Sequence, residues 1–432
     1  MKKRFIDLIT LGCSKNLVDS ERLIKMLETS GFDVRHNPEN GKPGQIVIIN
    51  TCGFIGDAKE ESINTILEYV DAKNRGIVDK ILVMGCLSQR YAEVLPQEIQ
   101  EVDAWFGKFN LPDIVKFLTK TYPALSGYDR VITTGPHNAY LKISEGCNRF
   151  CSFCAIPLIT GRHKSRPIEE IVAEVETLTS RGIKEFNIIA QDLSSYGTDL
   201  YGEKRLAELI TKISNVSGVE WIRLHYAYPA DFPFDVLPVI RNNPKVCKYL
   251  DIALQHISDP VLKNMRRHIT GDETRRLLAR IREEVPGIHL RTTLMVGFPG
   301  EGESEFRELV EFVKEAKFER MGAFAYCEEE DTYGAMNFSD LISDDVKQSR
   351  LDEIMSIQEE ISLNHQLSKV GTLQKVIIDR EEPENYVGRT QFDSPEVDPE
   401  VLIDKSQELK IGEFYDVEIT EALPFELIGR LK

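Results

Sequence analysis

The stretch Ile143–Pro157, which reads ISEGCNRFCSFCAIP, contains three cysteines in a CxxxCxxC spacing. We call Cys147, Cys151 and Cys154 the loop cysteines; Phe153 directly precedes the last of them. Structural zinc sites and ordinary ferredoxin clusters use four protein ligands, whereas this stretch has no histidine and no fourth cysteine. Three thiolates can hold three irons of a 4Fe-4S cube and leave the fourth iron for a small molecule. The spacing predicts such a cluster, with a zinc knuckle or three free thiols as the alternative.

Three other cysteines each end a short apolar run in the first part of the chain. We call Cys13, Cys52 and Cys86 the sheet cysteines, because the runs before them are typical of parallel strands buried on both faces. Helical stretches at Ser20–Ser30 and Ala58–Ala72 indicate repeated βα units. Ligands collect at the carboxyl ends of such strands. We therefore expect these thiols to meet at one sheet edge and hold a second cluster, although each alone would suit a buried core position.

The remaining features set broad limits. The chain has 432 residues, of which 42% are hydrophobic and 28% charged, as in a globular protein of two or three domains. No stretch approaches the roughly 18 apolar residues of a membrane span, so the predicted location is the cytoplasm, where grouped cysteines more often bind metal than form disulfides. Cys247 is predicted to lie in the core, and Cys327 is given no role.

The pattern along the chain indicates three domains. Residues 1–120 form the βα region, and a segment at 119–127 rich in turn formers is the predicted linker. Within 137–366, six strand patterns alternate with helical ones, which indicates a partial (βα)6 barrel with its chemistry at the carboxyl ends of the strands. Residues 367–432 contain five short strand patterns, typical of a small antiparallel barrel.

The charge of the chain bears on its partners. The formal net charge is −17, and residues 367–432 contain 8 lysines and arginines against 15 aspartates and glutamates. Binding to nucleic acid depends on neutralising phosphates with basic side chains, so strong nonspecific nucleic-acid binding is not expected. A basic partner would be attracted, although solubility alone is a sufficient reason for such a charge.

Motifs along essentially the whole chain resemble the radical S-adenosylmethionine (SAM) methylthiotransferases. They are LGCSKN at 11–16, NTCGFI at 50–55, MGCLSQRY at 84–91, EGCNRFCSFCAIP at 145–157 and GRHKSRP at 161–167. The end of the chain is similar to the TRAM domain of that family. The resemblance implies an α/β fold with an amino-terminal parallel βα domain, a central partial (βα)6 radical SAM barrel and a TRAM-like β-barrel.

Three further stretches are similar to the RimO type of that family. They are IAQD at 189–192, YLDIALQHIS at 249–258 and LRTTLMVGFPGE at 290–301. The RimO type places a methylthio group on the β-carbon of an aspartate in small-subunit ribosomal protein uS12, whereas the alternative MiaB type modifies a tRNA adenosine. Gly302 and Cys327 depart from the residues usual at their positions, and neither is a predicted cluster ligand.

The resemblance also implies a chemistry and a set of partners. The cluster on the loop cysteines would pass an electron to SAM and give a 5′-deoxyadenosyl radical. The cluster on the sheet cysteines would carry the added sulfur, methylated by a second SAM. A sulfur donor, an external electron donor such as flavodoxin, and uS12 or the small ribosomal subunit are the implied partners. The competing class is a non-catalytic iron–sulfur carrier, which would not cleave SAM.

The sequence also offers candidate residues beyond the cysteines. The predicted cofactor-binding residues are Phe153, Gln191, Asp192, Gly297, Gly300 and Glu301. Phe153 could instead be a core aromatic, and Asp192 could instead cap the following turn.

Two arginines and two histidines complete the candidate residues. Arg162 and Arg166 could contact SAM or an acidic substrate, or form ion pairs at the surface. His225 and His256 are predicted to be packed or hydrogen-bonded histidines rather than metal ligands.

Overall fold

The computed structural model describes residues 5–39, 43–123 and 128–432. The chain divides into two compact units. The first runs to residue 133 and includes residues 145–148 and 154–164, and the second contains residues 134–144, 149–153 and 165–432. The boundaries 1–120, 137–366 and 367–432 therefore stay a prediction. Of the predicted linker at 119–127, residues 124–127 lie outside the described residues.

The described part of the first unit is built on a five-stranded parallel sheet of order β2-β1-β3-β4-β5. Its strands are β1 (Phe5–Thr10), β2 (Asp33–His36), β3 (Ile46–Thr51), β4 (Lys80–Gly85) and β5 (Ala104–Trp105). Its helices are α1 (Ser14–Thr29), α2 (Gly56–Asn74), α3 (Cys86–Arg90), α4 (Leu95–Glu98), α5 (Leu111–Thr119) and α6 (Ile156–Thr160). Ile48 packs into a core with α1 and α5 and Val47 into one with α2, so β3 is apolar on both faces.

The second unit contains a six-stranded parallel sheet of order β13-β12-β11-β10-β9-β6. Its strands are β6 (Asn138–Lys142), β9 (Glu185–Ile189), β10 (Trp221–Ala227), β11 (Val246–Ile252), β12 (His289–Val296) and β13 (Arg320–Ala325). The chain also has a two-stranded sheet of β7 (Ser144–Glu145) and β8 (Lys164–Ser165), whose residues are divided between the two units. The sheet is not closed, so the predicted partial barrel of six strands is confirmed.

Helices connect these strands and lead out of the sheet. They are α7 (Ile168–Thr179), α8 (Leu206–Ser214), α9 (Val236–Asn242), α10 (Asp259–Asn264), α11 (Gly271–Glu284), α12 (Glu303–Ala316), α13 (Tyr333–Asn337) and α14 (Asp344–Leu367). A capping box begins α11, where the Thr270 side chain accepts from the backbone of Glu273 and the Glu273 carboxylate accepts from the backbone of Thr270. Across the described residues, no helix is long and apolar enough to cross a membrane.

The carboxy-terminal barrel is closed, with strand order β14-β15-β16-β18-β17. Its strands are β14 (Leu373–Glu381), β15 (Asn385–Thr390), β16 (Glu400–Asp404), β17 (Phe414–Ala422) and β18 (Glu426–Leu431). All five predicted strands are found. The neighbouring pair β16 and β18 is parallel, and the other pairs are antiparallel, so the predicted antiparallel barrel holds except at that one pair. Alternate residues such as Val401 and Ile403 fill its core.

This barrel packs against the amino-terminal ends of the central strands. Glu185, the first residue of β9, is fully buried and forms ion pairs with Arg389 of β15 and Arg223 of β10. The Phe414 ring lies edge-on to Trp221, the first residue of β10. Cys247 packs in the same cluster, as predicted for a core thiol. The barrel thus lies at the opposite end of the strands from the carboxyl end of β6, where the chain continues towards the cysteine loop.

Candidate metal centres

The sheet cysteines follow three neighbouring parallel strands. Cys13 comes after β1 and is the N-cap residue of α1, where its side chain makes no capping hydrogen bond. Cys52 directly follows β3, and Cys86 directly follows β4 and begins α3. Because β1, β3 and β4 are adjacent in the sheet, their carboxyl ends lie at one edge. The structure therefore brings the three thiols to the same edge, as the sequence predicts.

Glycines next to these cysteines allow the close approach. A Cβ on Gly12 would lie 2.7 Å from Cys52 Cβ and 2.9 Å from its Sγ, and the φ of Gly12 is +86°. A Cβ on Gly53 would lie 2.9 Å from the carbonyl carbon of Cys86. A side chain at either position would push the cysteine-bearing segments apart. These contacts give a physical reason for the glycines in the LGC and TCG motifs.

Asn16 and Lys108 complete the surroundings of Cys86. The Asn16 amide donates to the carbonyls of Leu11 at 3.0 Å and Thr51 at 3.1 Å, which ties α1 to the ends of β1 and β3. Its Oδ1 accepts from Cys86 Sγ at 3.5 Å and from Lys108 Nζ at 3.4 Å. Sequence reasoning missed Lys108, because β5 before it has only two residues and gives no recognisable strand pattern.

The electrostatics of the sheet cysteines suit a cationic occupant. Burial raises the pKa of Cys86 to about 12 and also raises the pKa of Cys52. For Cys13, whose side chain still reaches solvent, crowding by protein atoms favours a higher pKa, but Lys15 and Lys108 lower it below its usual value. Metal binding requires the thiolate form, so a bound cation must supply the compensating charge.

The ligand set also distinguishes a cluster from a single ion. Among the residues that the structure describes, no three His, Cys, Asp or Glu side chains are arranged to hold one metal ion. The corners of an iron–sulfur cube are separate atoms, so their cysteines stand farther apart than the ligands of one ion. Three thiols at a shared edge would each suit one iron of such a cluster.

The loop cysteines are divided between the two units, with Cys147 and Cys154 in the first and Cys151 in the second. In the first unit, the Cys147 amide donates to the carbonyl of Gly161 at 3.1 Å. Gly146 has a φ of +81°, and a Cβ there would lie 2.1 Å from the carbonyl oxygen of Arg162. The glycine of the EGC motif is therefore required where the loop begins.

In the second unit, Cys151 lies beside two arginines and a tyrosine. Arg267 Nη1 donates to Cys151 Sγ at 3.1 Å, and Tyr228 Oη lies 3.8 Å from the same sulfur. The guanidinium carbons of Arg267 and Arg149 lie 4.1 and 4.3 Å from the centre of the Tyr228 ring. The Cys151 sulfur therefore accepts from one arginine, and a second arginine lies on the same tyrosine ring. Sequence reasoning did not identify Arg267 either.

Asp192 caps a turn, which was the alternative to a cofactor contact. Its carboxylate accepts from the Ser194 amide at 2.8 Å, from Ser195 Oγ at 2.6 Å and from Arg149 Nε at 2.7 Å. Three donors occupy the carboxylate, so its role in this structure is to fix the turn after β9 and to orient Arg149. Gln191 directly precedes it and is partly exposed; its cofactor role stays a prediction.

Phe153 is a partly buried aromatic. Its ring lies edge-on to Phe298, with 6.4 Å between ring centres, against a cluster that includes Met295 and Tyr326. The packing agrees with the core-aromatic alternative. Its place beside the SAM adenine stays a prediction.

The loop after β12 is tight, as predicted. Gly297 and Gly300 have φ values of +74° and +98°, and a Cβ on Gly297 would lie 2.4 Å from Lys347 Cγ. Glu301 is buried and accepts from the Gly297 amide at 2.9 Å, while its carboxylate also pairs with His256 at 3.1 Å and Arg350 at 2.7 Å. The chain itself therefore engages the Glu301 carboxylate, which supports the loop rather than pointing to a ligand.

Most of the remaining candidate arginines and histidines form ion pairs or hydrogen bonds within the protein. Arg166 is buried rather than at the surface: it pairs with Glu174 at 2.7 Å and donates to the carbonyl of Lys142 at 2.6 Å. Arg162 is exposed. His225 hydrogen-bonds with Asn187 Oδ1, so it and His256 are hydrogen-bonded histidines, as predicted.

Family models match three parts of the chain. The radical SAM superfamily matches residues 141–313. A family described as uncharacterized protein family UPF0004 matches residues 6–107, and the TRAM domain matches residues 370–431. The three matches fall in the amino-terminal, central and carboxy-terminal parts of the chain.

Full-length relatives have one shared description. The chain is 60% identical to the ribosomal protein uS12 methylthiotransferase RimO of Phocaeicola vulgatus, over 100% of both chains. It is 58% identical to the protein of the same name from Bacteroides thetaiotaomicron, over 100% of this chain and 99% of that one. For the Flavobacterium johnsoniae protein, the identity is 52% over 99% of this chain and 98% of the relative.

Solved structures share the fold at low sequence identity. The radical SAM methyltransferase TsrM from Kitasatospora setae, with cobalamin and a [4Fe-4S] cluster bound, matches with a TM-score of 0.58 and 15% identity. That match covers 86% of this chain and 80% of TsrM. The cobalamin-dependent SAM radical enzyme OxsB matches with a TM-score of 0.52 and 14% identity, over 82% of this chain and 56% of OxsB. At these identities the likeness concerns the fold alone.

Proposed function

Because this chain belongs to the RimO family of radical SAM methylthiotransferases, we propose that it attaches a methylthio group to the β-carbon of an aspartate in ribosomal protein uS12. The observation that carries the proposal is the end-to-end likeness, at 52 to 60% identity, to proteins described as uS12 methylthiotransferases. The two separate groups of three cysteines supply the metal chemistry that such a transfer needs. The tRNA-modifying alternative is not favoured.

The cysteines are the proposed ligands of two clusters. The loop cysteines would hold the 4Fe-4S cluster that binds SAM, and the sheet cysteines would hold a second 4Fe-4S cluster. When bound, these groups supply the one-electron chemistry that removes a hydrogen atom from an unactivated carbon and the sulfur that replaces it. The side chains and backbone of the protein would bind and orient SAM and the substrate.

Residues around Cys151 would stabilise and orient the SAM-binding centre. Arg267 donates to the Cys151 sulfur, and its guanidinium stacks on Tyr228 together with that of Arg149. Asp192 holds Arg149 in this arrangement. The N–H group of Arg267 would hold the Cys151 sulfur in place, and the stacked side chains would limit the access of water to it.

Two loops at the carboxyl ends of central strands are the proposed cofactor-binding segments. Gln191 and Asp192 follow β9, and Gly297–Glu301 follows β12. Ligands of such sheets bind at the carboxyl ends, which supports a role for both loops. Because the chain already engages the Glu301 and Asp192 carboxylates, we assign them to shaping the loops. Direct contacts are assigned to the backbone of Gly300 and to the carbonyl of Gly297, whose amide already donates to Glu301.

The charge of the chain supports a basic protein substrate. With a net charge of −17, it would attract a basic ribosomal protein and repel a polyanion such as tRNA. Free uS12 and the assembled small subunit are both candidate forms of the substrate. The proposed further partners are an external electron donor such as flavodoxin and a sulfur donor. The proposed location is the cytoplasm.

The experiment is a defined reaction with one substrate at a time. The chain is reconstituted anaerobically with iron and sulfide, reduced in the presence of SAM and given uS12 or tRNA. We expect 5′-deoxyadenosine and a methylthio-aspartate on uS12. A control with all three loop cysteines changed to alanine should give neither product. Methylthiolation of a tRNA adenosine with none on uS12 would overturn the proposal.

A further inference from the structure

Lys108 is a buried cation at the sheet-cysteine site. Its side chain is only 3% exposed, and its Nζ lies 3.9 Å from Cys86 Sγ. Asn16 Oδ1 accepts from both groups, at 3.4 Å from Lys108 Nζ and 3.5 Å from Cys86 Sγ. This shared acceptor keeps the ammonium beside the sulfur. The ammonium is therefore fixed in position rather than free to move in solvent.

Two carboxylates keep this buried ammonium charged. Lys108 Nζ lies 3.2 Å from Asp19 Oδ2 on α1 and 3.8 Å from Glu145 Oε1. An unpaired ammonium would be expensive to bury, whereas a paired one can remain ionised. Glu145 stands two residues before Cys147 in the EGC motif. Lys108 thus joins the surroundings of Cys86 to the start of the cysteine loop, within the first unit.

The alternative is that the Lys108 ion pair only stabilises the fold. The first unit contains another buried ion pair with which it can be compared. Arg130 is also buried and also pairs with a carboxylate of α1, that of Glu21. The Thr133 amide and hydroxyl donate to the same carboxylate. The Lys108 pair differs because its cation also contacts a thiol of the sheet cysteines.

We propose that Lys108 is a positioning residue for the cluster held by the sheet cysteines, where its charge holds Cys86 in place and raises the reduction potential of that cluster. The inference rests on the proposed function, since it requires that these thiols bind a cluster. Reduction adds negative charge to a cluster, so a fixed cation nearby favours the reduced form. Net charge and hydrogen bonds to the sulfurs are among the factors that set such potentials.

The test uses a background in which Cys147→Ala, Cys151→Ala and Cys154→Ala leave only the cluster on the sheet cysteines. Into this background we introduce Lys108→Met, which removes the charge and the N–H donors, or Lys108→Arg, which keeps both. Arg130→Met is the matched control. After anaerobic reconstitution, iron content and the reduction potential from an electron paramagnetic resonance titration are measured.

We expect Lys108→Met to shift the potential to more negative values, while Lys108→Arg stays close to the background protein. Arg130→Met should lower the melting temperature and leave the potential unchanged. An unchanged potential in Lys108→Met would overturn the inference. If the Lys108→Met variant takes up no iron, the Lys108→Arg variant decides. A cluster in Lys108→Arg with the same potential as in the background protein supports the role of the charge. Loss of iron in Lys108→Arg as well overturns the inference. If the background protein itself binds no cluster, the proposed function fails, and the role of Lys108 fails with it.

Discussion

Arg389 of the carboxy-terminal barrel and Glu185 of the central sheet form a buried ion pair, with 2.7 Å between Nη2 and Oε2. Arg389 also pairs with Asp379 at 2.6 Å, and Glu185 with Arg223 at 3.1 Å. Burial alone would raise the pKa of Glu185, but Arg389 and Arg223 hold it below its usual value. The barrel is thus attached to the sheet by charges that must remain paired.

The first prediction concerns this attachment. Arg389→Ala should lower the free energy of unfolding by about 3–5 kcal/mol, because it leaves the Glu185 and Asp379 carboxylates without their shared cation. Arg430 offers a matched control in the same barrel, since its pair with Glu418 is exposed. Arg430→Ala should cost about 0–1 kcal/mol. Denaturant unfolding measures both, and equal losses for the two variants would contradict the attachment.

The second prediction is a pH dependence at Asp379. Burial alone would raise its pKa, but Arg389 and His137 lower it to about 2. A carboxylate whose pKa is lowered in the folded protein stabilises the fold at pH values above the pKa of the unfolded state, which is about 3.9. This contribution is lost as the pH falls towards 2. Asp379→Asn should therefore cost about 2–3 kcal/mol at pH 7 and progressively less below pH 4.

Unfolding of the metal-free chain is the appropriate measurement for Asp379, because acid also dissolves iron–sulfur clusters. Asp416→Asn changes an exposed aspartate of the same barrel and serves as the control. A cost of Asp379→Asn that stays constant from pH 7 to pH 3 would show that the lowered pKa does not contribute.

The third prediction concerns the glycine before Cys13. Gly12→Ala should lose about half of the iron after reconstitution, because its Cβ would collide with Cys52 at 2.7 Å. Gly31 is the matched control: its φ of +90° carries similar backbone strain, but a Cβ there meets nothing within 4 Å. Gly31→Ala should keep all of the iron. Equal iron losses in both variants would assign the effect to backbone strain instead of to the cysteine site.

The fourth prediction separates the two clusters. Wild-type chain should bind about eight irons, and the variant with all three loop cysteines changed to alanine should keep about half of them, since each group holds one 4Fe-4S cluster. That variant should also stop converting SAM to 5′-deoxyadenosine. Full retention of iron, or zinc in place of iron in the wild type, would refute the two-cluster assignment. Wild-type chain that forms no 5′-deoxyadenosine would favour a non-catalytic iron–sulfur carrier.

The features that the sequence predicts correctly depend on short-range patterns. The sheet cysteines were located because each follows an apolar run, and parallel strands align such ends at one edge. The barrel strands are predicted from short strand patterns that are separated by turn residues. In both cases, the information lies within a few neighbouring residues.

The features that the sequence does not predict depend on distant partners or unusual backbone. The contact between Arg350 and the Glu301 carboxylate joins residues 49 positions apart, so the local sequence gives no sign of it. Arg267 reaches Cys151 from a segment in which Arg266 and His268 both have left-handed φ values, of 56° and 53°. Non-glycine residues adopt that conformation rarely, and the local sequence gives no sign of it.

The most direct measurement of the central claim is mass spectrometry of ribosomal protein uS12 from cells with and without the gene for this chain. We predict that one aspartate of uS12 is heavier by about 46 Da in the wild type, as expected when SCH3 replaces hydrogen, and that the increase disappears in the deletion strain. Persistence of the increase in the deletion strain, together with loss of a methylthio-adenosine from tRNA, would contradict the account and establish the tRNA-modifying alternative.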